Sequence, residues 1–250
     1  MELLRAVVLG VVQGITEFLP VSSDGHLLLA RYVFGWADEG LAFDAALHLG
    51  TFLAVLVYFR RTWIALVRGR DAPLFWALVL GTLPAALVGV AAQRLLAEEF
   101  RSLLVTGLSF LATAALLFLA DRRAQRSSVL EVTPPRGFLI GCAQIFALLP
   151  GLSRSGVTMA AGIFAGLSRE RAVEFSFLLA LPITAAAGAE GVRSTLGAGV
   201  SLPLAIGVLA AFLSGVVAIG AFLRLIRTQT FLPYVLYLLV VGGALLLRLR

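Results

Sequence analysis

Residues 17–26 read EFLPVSSDGH. A second stretch, 148–158, reads LLPGLSRSGVT. Each interrupts an apolar run with proline, glycine, hydroxyls and charge. The first break separates apolar residues 6–19 from 26–34, and the second separates 137–149 from 157–167. Neither half of either pair reaches the ~17–25 residues that a helix needs to cross hydrocarbon. Backbone that leaves the helix at membrane depth survives only where protein or a water-filled cavity surrounds it. Each pair therefore reads as a re-entrant helical hairpin that enters the bilayer, turns at depth and leaves by the same face.

The rest of the chain supports a membrane setting. Of 250 residues, 60% are hydrophobic and 14% charged, against ~45–50% and ~25% in soluble domains. Six further apolar blocks are long enough to span, at about 41–59, 73–93, 102–120, 172–190, 202–223 and 231–247. The expected fold is all-α: a polytopic integral membrane protein of about six transmembrane helices plus two re-entrant hairpins. No small-residue cleavage site follows the apolar residues 6–16, so a cleavable signal peptide is not expected. The lone Cys142 excludes a disulfide framework and a cysteine metal site. All 20 basic residues are arginine and the net charge is +6. These arginines flank apolar blocks, as topology-setting charges do, and no soluble basic face exists for nucleic acid.

The two hairpins resemble each other. Gly10-x-x-Gln13 precedes Leu19-Pro20-x-x-Ser23, and Gly141-x-x-Gln144 precedes Leu149-Pro150-x-x-Ser153. Small-residue Leu-Pro segments also recur, at 81–89 and 179–188. The chain thus reads as one transmembrane domain, 1–250, with half-repeats at 1–120 and 135–250. Three spans separate the hairpins, so the halves are inverted and both tips meet near the midplane. Arg60, Arg61, Arg68, Arg70, Arg122, Arg123, Arg126, Arg136, Arg169, Arg171, Arg224 and Arg227 fall on one side, against Arg94, Arg101 and Arg193 on the other. The arginine-rich side is expected to be cytoplasmic.

At the first break, Gln13 and Glu17 are four apart and share a helix face. Pro20 ends that helix. Ser22 or Ser23 can cap the next one, which carries Gly25 and His26 in its first turn. His26, three beyond Ser23, is expected to reach its hydroxyl. A carboxylate in hydrocarbon costs about 2.5–3.5 kcal/mol on the insertion scale, so Glu17 is expected to face a cavity or a partner. At the second break, Arg154 lies between Ser153 and Ser155, with Gly151, Gly156 and Thr158 nearby. A helix N-terminus, an arginine fork and clustered hydroxyls make a site for phosphate oxygens. Together the tips suit phosphoryl transfer or hydrolysis on a lipid-borne phosphate. No Walker loop is present.

The segments QGITEFLPVSSDGH and PGLSRSGVT resemble the undecaprenyl-diphosphate phosphatase family, the bacitracin-resistance type of membrane phosphatase. The resemblance implies removal of one phosphate from undecaprenyl diphosphate, a polyprenyl diphosphate, in the bacterial cytoplasmic membrane; with the arginine-rich side cytoplasmic, the first hairpin opens outward and the active site is expected to face the outer leaflet. The product is the carrier lipid reused for peptidoglycan and other envelope polymers. It implies Glu17 as essential acid, Ser23 as nucleophile, His26 as acid/base partner and Arg154 as phosphate clamp, with Ser22, Ser153, Ser155, Gly156 and Thr158 around the phosphate. It also implies a divalent cation, Mg2+ or Ca2+, near Gln13, Glu17 and Asp24. Gln13 stands where many members carry glutamate, and Asp24 where a small hydroxyl residue is common. Whether Ser23 or a water activated by His26 attacks phosphorus stays open, as does a homodimer. Asp44 and His48, four apart, are expected to form a supporting pair. Glu174 and Glu190 bracket a later span and are expected to be solvated at the interface. A polyprenyl-phosphate flippase using the same anion site is the alternative. The soluble-headgroup phosphatidic-acid phosphatases need a second histidine after their Ser-Arg motif, and no histidine follows His48.

Overall fold

A computed structural model describes residues 2–37, 41–99, 101–124, 131–195 and 201–249. Arg126 lies outside the described residues, as does the side chain of Arg94. The described residues form α-helices and one 3-10 turn, with no strand among them. In chain order the helices are α1 (Glu2–Thr16), α2 (Ser23–Phe34), α3 (Leu41–Tyr58), α4 (Arg60–Val67), α5 (Ala72–Glu99) and α6 (Leu103–Ala124). There follow α7 (Pro134–Gln144), the 3-10 turn Ile145–Leu148, α8 (Arg154–Phe164), α9 (Arg169–Thr195), α10 (Leu202–Leu225) and α11 (Leu232–Arg248).

Among the described residues five helices are long and apolar enough to cross a membrane: Leu41–Tyr58, Ala72–Ala91, Leu103–Ala124, Arg169–Ser194 and Leu202–Leu225. The sixth expected span is α11, with 17 residues; at 1.5 Å rise it measures about 25 Å, shorter than the ~30 Å hydrocarbon core. The protein is an all-α integral membrane protein. Its outer face agrees, since Leu87, Val90, Val217 and Val240 are each at least 70% exposed. Such an apolar surface fits contact with lipid. The connection that carries Arg60, Arg61, Arg68 and Arg70 contains a short helix, α4.

Both breaks fall where the sequence places them, between α1 and α2 and between α7 and α8. Each broken pair comes back to the end where it began. Arg5, near the start of α1, lies over the Trp36 ring just beyond α2, 5.6 Å from its centroid. Arg136, near the start of α7, donates from Nε to the Ala165 carbonyl at the end of α8, at 3.2 Å. These arginines occupy matching places, five residues before Gly10 and five before Gly141.

The remaining contacts fix which ends lie together. Asp44 at the start of α3 holds Arg31 from α2 and Arg101 from the turn before α6. Asp121 near the end of α6 accepts from Arg169 Nε, just inside α9, and from the Phe231 backbone N–H before α11, each at 2.6 Å.

Small residues bring the hairpin arms close to the long helices. Arm α1 lies along α10, and arm α7 lies along α5. A Cβ at Gly10 would strike the Gly207 carbonyl, and one at Gly14 would strike Ser214 and the Ala211 carbonyl. Likewise a Cβ at Gly137 would meet Ala77 backbone, and one at Gly141 Gly81 backbone. The first helix of each broken pair thus packs on a long helix distant from it in the chain. In lipid, where apolar burial supplies little drive between helices, such close backbone approach supplies the packing energy.

Gly141→Ala is therefore expected to destabilise the protein by about 1–3 kcal/mol, the usual cost of overpacking. Gly243→Ala is the control, because nothing lies within 4 Å of a Cβ there. Thermal unfolding in detergent should show a lowered midpoint for the first variant and none for the second.

Candidate active site

The two breaks meet. Ser22 caps α2, its Oγ accepting from the Gly25 N–H at 3.4 Å. Ser153 caps α8, its Oγ accepting from the Gly156 N–H at 3.1 Å. Both helix starts face one cavity of about 120 Å3, lined by Glu17, Ser22, Ser23 and Asp24 on one side and by Ser153, Arg154 and Ser155 on the other. Two helix N-termini directed at one space favour an anion there.

Glu17 joins the breaks. Its Oε1 accepts from Arg154 Nη2 at 2.5 Å. Its Oε2 accepts from Ser23 Oγ at 2.6 Å and from Gln13 Nε2 at 3.1 Å. The Arg154 Nη1 donates to the Ser176 carbonyl at 3.3 Å. Ser155 Oγ donates across the junction to the Leu19 carbonyl at 2.9 Å. Behind the second break, Ser109 Oγ on α6 donates to the Pro150 carbonyl at 3.0 Å, and Thr113 Oγ1 accepts from the Ser153 N–H at 3.3 Å. Both Glu17 oxygens and both terminal nitrogens of Arg154 thereby have hydrogen-bond partners, which favours holding a largely desolvated ion pair.

Several expected site residues lie elsewhere. The expected contact between His26 and the Ser23 hydroxyl is not formed. His26 Nδ1 lies 2.7 Å from the Ser22 carbonyl, and Nε2 lies 2.7 Å from the Tyr237 hydroxyl. The ring stacks on Phe110 and Tyr237, outside the cavity wall. The Thr158 hydroxyl is also turned away, donating to the Arg154 carbonyl and bonding Ser176 Oγ at 2.7 Å. Gly156 gives its N–H to the Ser153 cap, and a Cβ there would crowd Thr113 and Ser153.

Asp44 and His48 do not pair through their side chains. The Asp44 carboxylate is gripped by Arg31, at 3.0 and 2.5 Å, and by Arg101 at 2.8 Å. His48 Nδ1 instead meets the Asp44 backbone carbonyl at 3.0 Å. That bond points Nε2 into the cavity, 3.6 Å from Glu17 Oε2. His48 is therefore the imidazole at the cavity. Glu174 and Glu190 form exposed pairs with Arg171 and Arg193.

Some cavity residues were not expected. Gln144 lines it, buried, with Nε2 donating to the Gly81 carbonyl at 3.3 Å and Oε1 without a partner. Ala85 and Ile183 line it too, each directly after the proline of a Leu-Pro segment. Both prolines lie inside continuous helices, α5 and α9. The internal repeats had already marked these positions: Gln144 matches Gln13, and the Leu-Pro segments match each other.

Among the described residues no three His, Cys, Asp or Glu side chains group as a metal cage. Glu17 is occupied by Arg154, Ser23 and Gln13, while Asp24 presents its carboxylate at the cavity wall. Gln13 Oε1 is buried and without a partner. This donor set does not close around an ion by itself. It suits a cation that draws most of its oxygens from a phosphate group and water.

The fold and site define a class: an integral membrane protein with an anion site at the junction of two broken helix pairs. Comparison with known proteins narrows it. The profile of the family described as bacitracin resistance protein BacA matches residues 6–244. The undecaprenyl-diphosphatase of Myxococcus xanthus is 42% identical over 100% of this chain and 90% of its own length. That of Hahella chejuensis is 40% identical over 100% and 99%. The undecaprenyl-diphosphatase 2 of Stutzerimonas stutzeri is 41% identical over 98% of both. The chain belongs to the bacitracin resistance protein BacA family.

Glu17→Ala leaves the Arg154 guanidinium buried without its carboxylate, and a loss of about 3–5 kcal/mol in stability is expected. Unfolding in detergent should show that loss, and Glu17→Ala combined with Arg154→Met should recover much of it.

Proposed function

We propose that this protein hydrolyses undecaprenyl diphosphate to undecaprenyl phosphate and inorganic phosphate. One observation carries the reading: Ser23 and Arg154, from separate broken hairpins, converge on the same carboxylate within a cavity faced by two helix N-termini. The relatives' names supply the substrate. A cavity of about 120 Å3 admits phosphate but not a prenyl tail, so the tail stays in the bilayer.

In this reading the terminal phosphate enters between the two helix starts, and Arg154 turns its fork from Glu17 toward the phosphate oxygens. Ser23 Oγ attacks the terminal phosphorus and gives its proton to Glu17 Oε2, which already accepts its hydrogen bond. A bond forms from Ser23 Oγ to phosphorus, and the bond from phosphorus to the bridging oxygen breaks. Undecaprenyl phosphate leaves. Water then attacks the phosphoserine phosphorus, the bond from phosphorus to Ser23 Oγ breaks, Glu17 returns its proton to Oγ, and both protons of the water leave with the released phosphate. Arg154 and the helix N-termini neutralise the charge that develops on the phosphoryl oxygens. A divalent cation arriving with the diphosphate, held by Asp24 on the protein side, would neutralise further charge on these oxygens.

The broken pairs are re-entrant in this account, and the protein resides in the bacterial cytoplasmic membrane. The end bearing Arg60, Arg61, Arg122, Arg123 and Arg169 faces the cytoplasm. The α1–α2 pair then opens outward, toward the outer leaflet.

Phosphate release from a long-chain prenyl diphosphate by detergent-purified protein, with Mg2+ or Ca2+ added, tests the activity. Wild type should release phosphate and Ser23→Ala should not. Arg154→Lys should lose about 10²-fold or more, since a point charge does not replace the fork. No release by wild type, with lipid phosphate moving between leaflets, would favour the flippase. Near-wild-type turnover by Arg154→Lys would make Arg154 structural only. For orientation, Val67→Cys on a Cys142→Ala background places a thiol on a side chain that is 87% exposed at the end of α4. An impermeant reagent should label it only after the membrane is opened; labelling of intact cells would reverse the orientation.

A further inference from the structure

Ser22 is the only non-glycine among the described residues with positive φ, at 74°. Such backbone persists only when its surroundings hold it. The residue sets the path of the chain from the first break into α2, and so sets where the next residue, Ser23, aims its hydroxyl. Besides the cap bond from the Gly25 N–H, His26 holds it twice through the Ser22 carbonyl, from its backbone N–H at 3.2 Å and from its ring. The Ser22 carbonyl only accepts, so His26 Nδ1 carries the proton and donates to it at 2.7 Å. In the neutral ring Nε2 then accepts from the Tyr237 hydroxyl at 2.7 Å. The ring itself is fixed between Phe110 of α6 and Tyr237 of α11, with centroids at 5.2 and 5.6 Å. Gly25 lets the first turn of α2 settle on the same Phe110 ring, since a Cβ there would lie 2.5 Å from it.

We infer that Tyr237 and His26 are positioning residues that act in series through the Ser22 carbonyl to aim Ser23 at the phosphate, and that His26 is not the acid/base group of the reaction. The chain of contacts runs Tyr237 hydroxyl, His26 ring, Ser22 carbonyl, α2 cap, Ser23. Tyr237 and His26 do not line the cavity; of these residues only Ser22 and Ser23 do. The inference rests on the phosphatase reading for its kinetic test.

A double-mutant cycle on detergent-purified full-length protein separates the roles. The side-chain amide of Asn reaches the place of His26 Nδ1 and keeps a donor for the Ser22 carbonyl, but it lacks Nε2. Tyr237→Phe in the wild-type background should lower kcat about 3–10-fold, the worth of one hydrogen bond, with KM within about twofold. In the His26→Asn background the same change should cost less than about twofold, because the bond is already absent. His26→Asn should retain about tenfold more activity than His26→Ala. Equal loss from Tyr237→Phe in both backgrounds, or His26→Asn as inactive as His26→Ala, overturns the inference. Nitrogen NMR on 15N-histidine protein gives a readout without turnover, and only two histidines need assigning. His26 should carry its proton on Nδ1, and Tyr237→Phe should shift its Nε2 resonance; a ring protonated on Nε2 alone overturns the inference. If wild type releases no phosphate, the phosphatase reading fails and the NMR result still decides this one.

Discussion

One carboxylate organises the molecule. Glu17 accepts hydrogen bonds from Ser23, Gln13 and, across the junction, Arg154. Hydrocarbon tolerates neither the glutamate nor the arginine alone. Their mutual neutralisation is what permits two helix breaks to lie inside a membrane protein. The rest of the fold serves that meeting. Glycine contacts press α1 onto α10 and α7 onto α5, and the spans between deliver the two tips to one place. A substrate phosphate entering here would take over the role of Glu17 toward Arg154, so the interaction that joins the two breaks also marks the anion site.

The site has a front and a back. The front is the cavity wall, where Ser23, Arg154, Asp24, His48 and Gln144 converge. The back is a set of hydrogen bonds and stacked rings that hold strained or irregular backbone in place. Ser109 and Thr113 brace the second break from α6, while His26, itself held by Phe110 of α6 and Tyr237 of α11, braces the first. Irregular backbone in a membrane protein needs this support, because no bulk water satisfies what the helix gives up. Histidine and serine therefore appear behind the site as well as in it.

Much of this was legible in the sequence. Proline, glycine and serine interrupting apolar runs located both breaks, and the spacing of Gln13 and Glu17 put them on one face. The carboxylate in an apolar run implied a cavity or a partner, and Glu17 has both, the partner being Arg154. What escaped was direction. The spacing of Ser23 and His26 is right for contact along a helix, but the His26 ring is claimed by a carbonyl four residues back and by a hydroxyl 211 positions away. Local spacing carries no information about Tyr237. For the same reason Asp44 looked like a partner for His48, when Arg31 and Arg101 bind it from other elements. Gln144 was visible only as the repeat image of Gln13. Repeats give equivalence of position, and only tertiary structure shows that an equivalent position lines the same cavity.

The central claim is that both breaks grip one phosphorus. An experimental structure with vanadate, a mimic of the transferring phosphoryl group, tests it most directly. The account predicts vanadium within bonding distance of Ser23 Oγ, with Arg154 hydrogen-bonded to the equatorial oxygens and released from Glu17. Vanadate bound away from Ser23, or Arg154 still held by Glu17 with no contact to the anion, would contradict it.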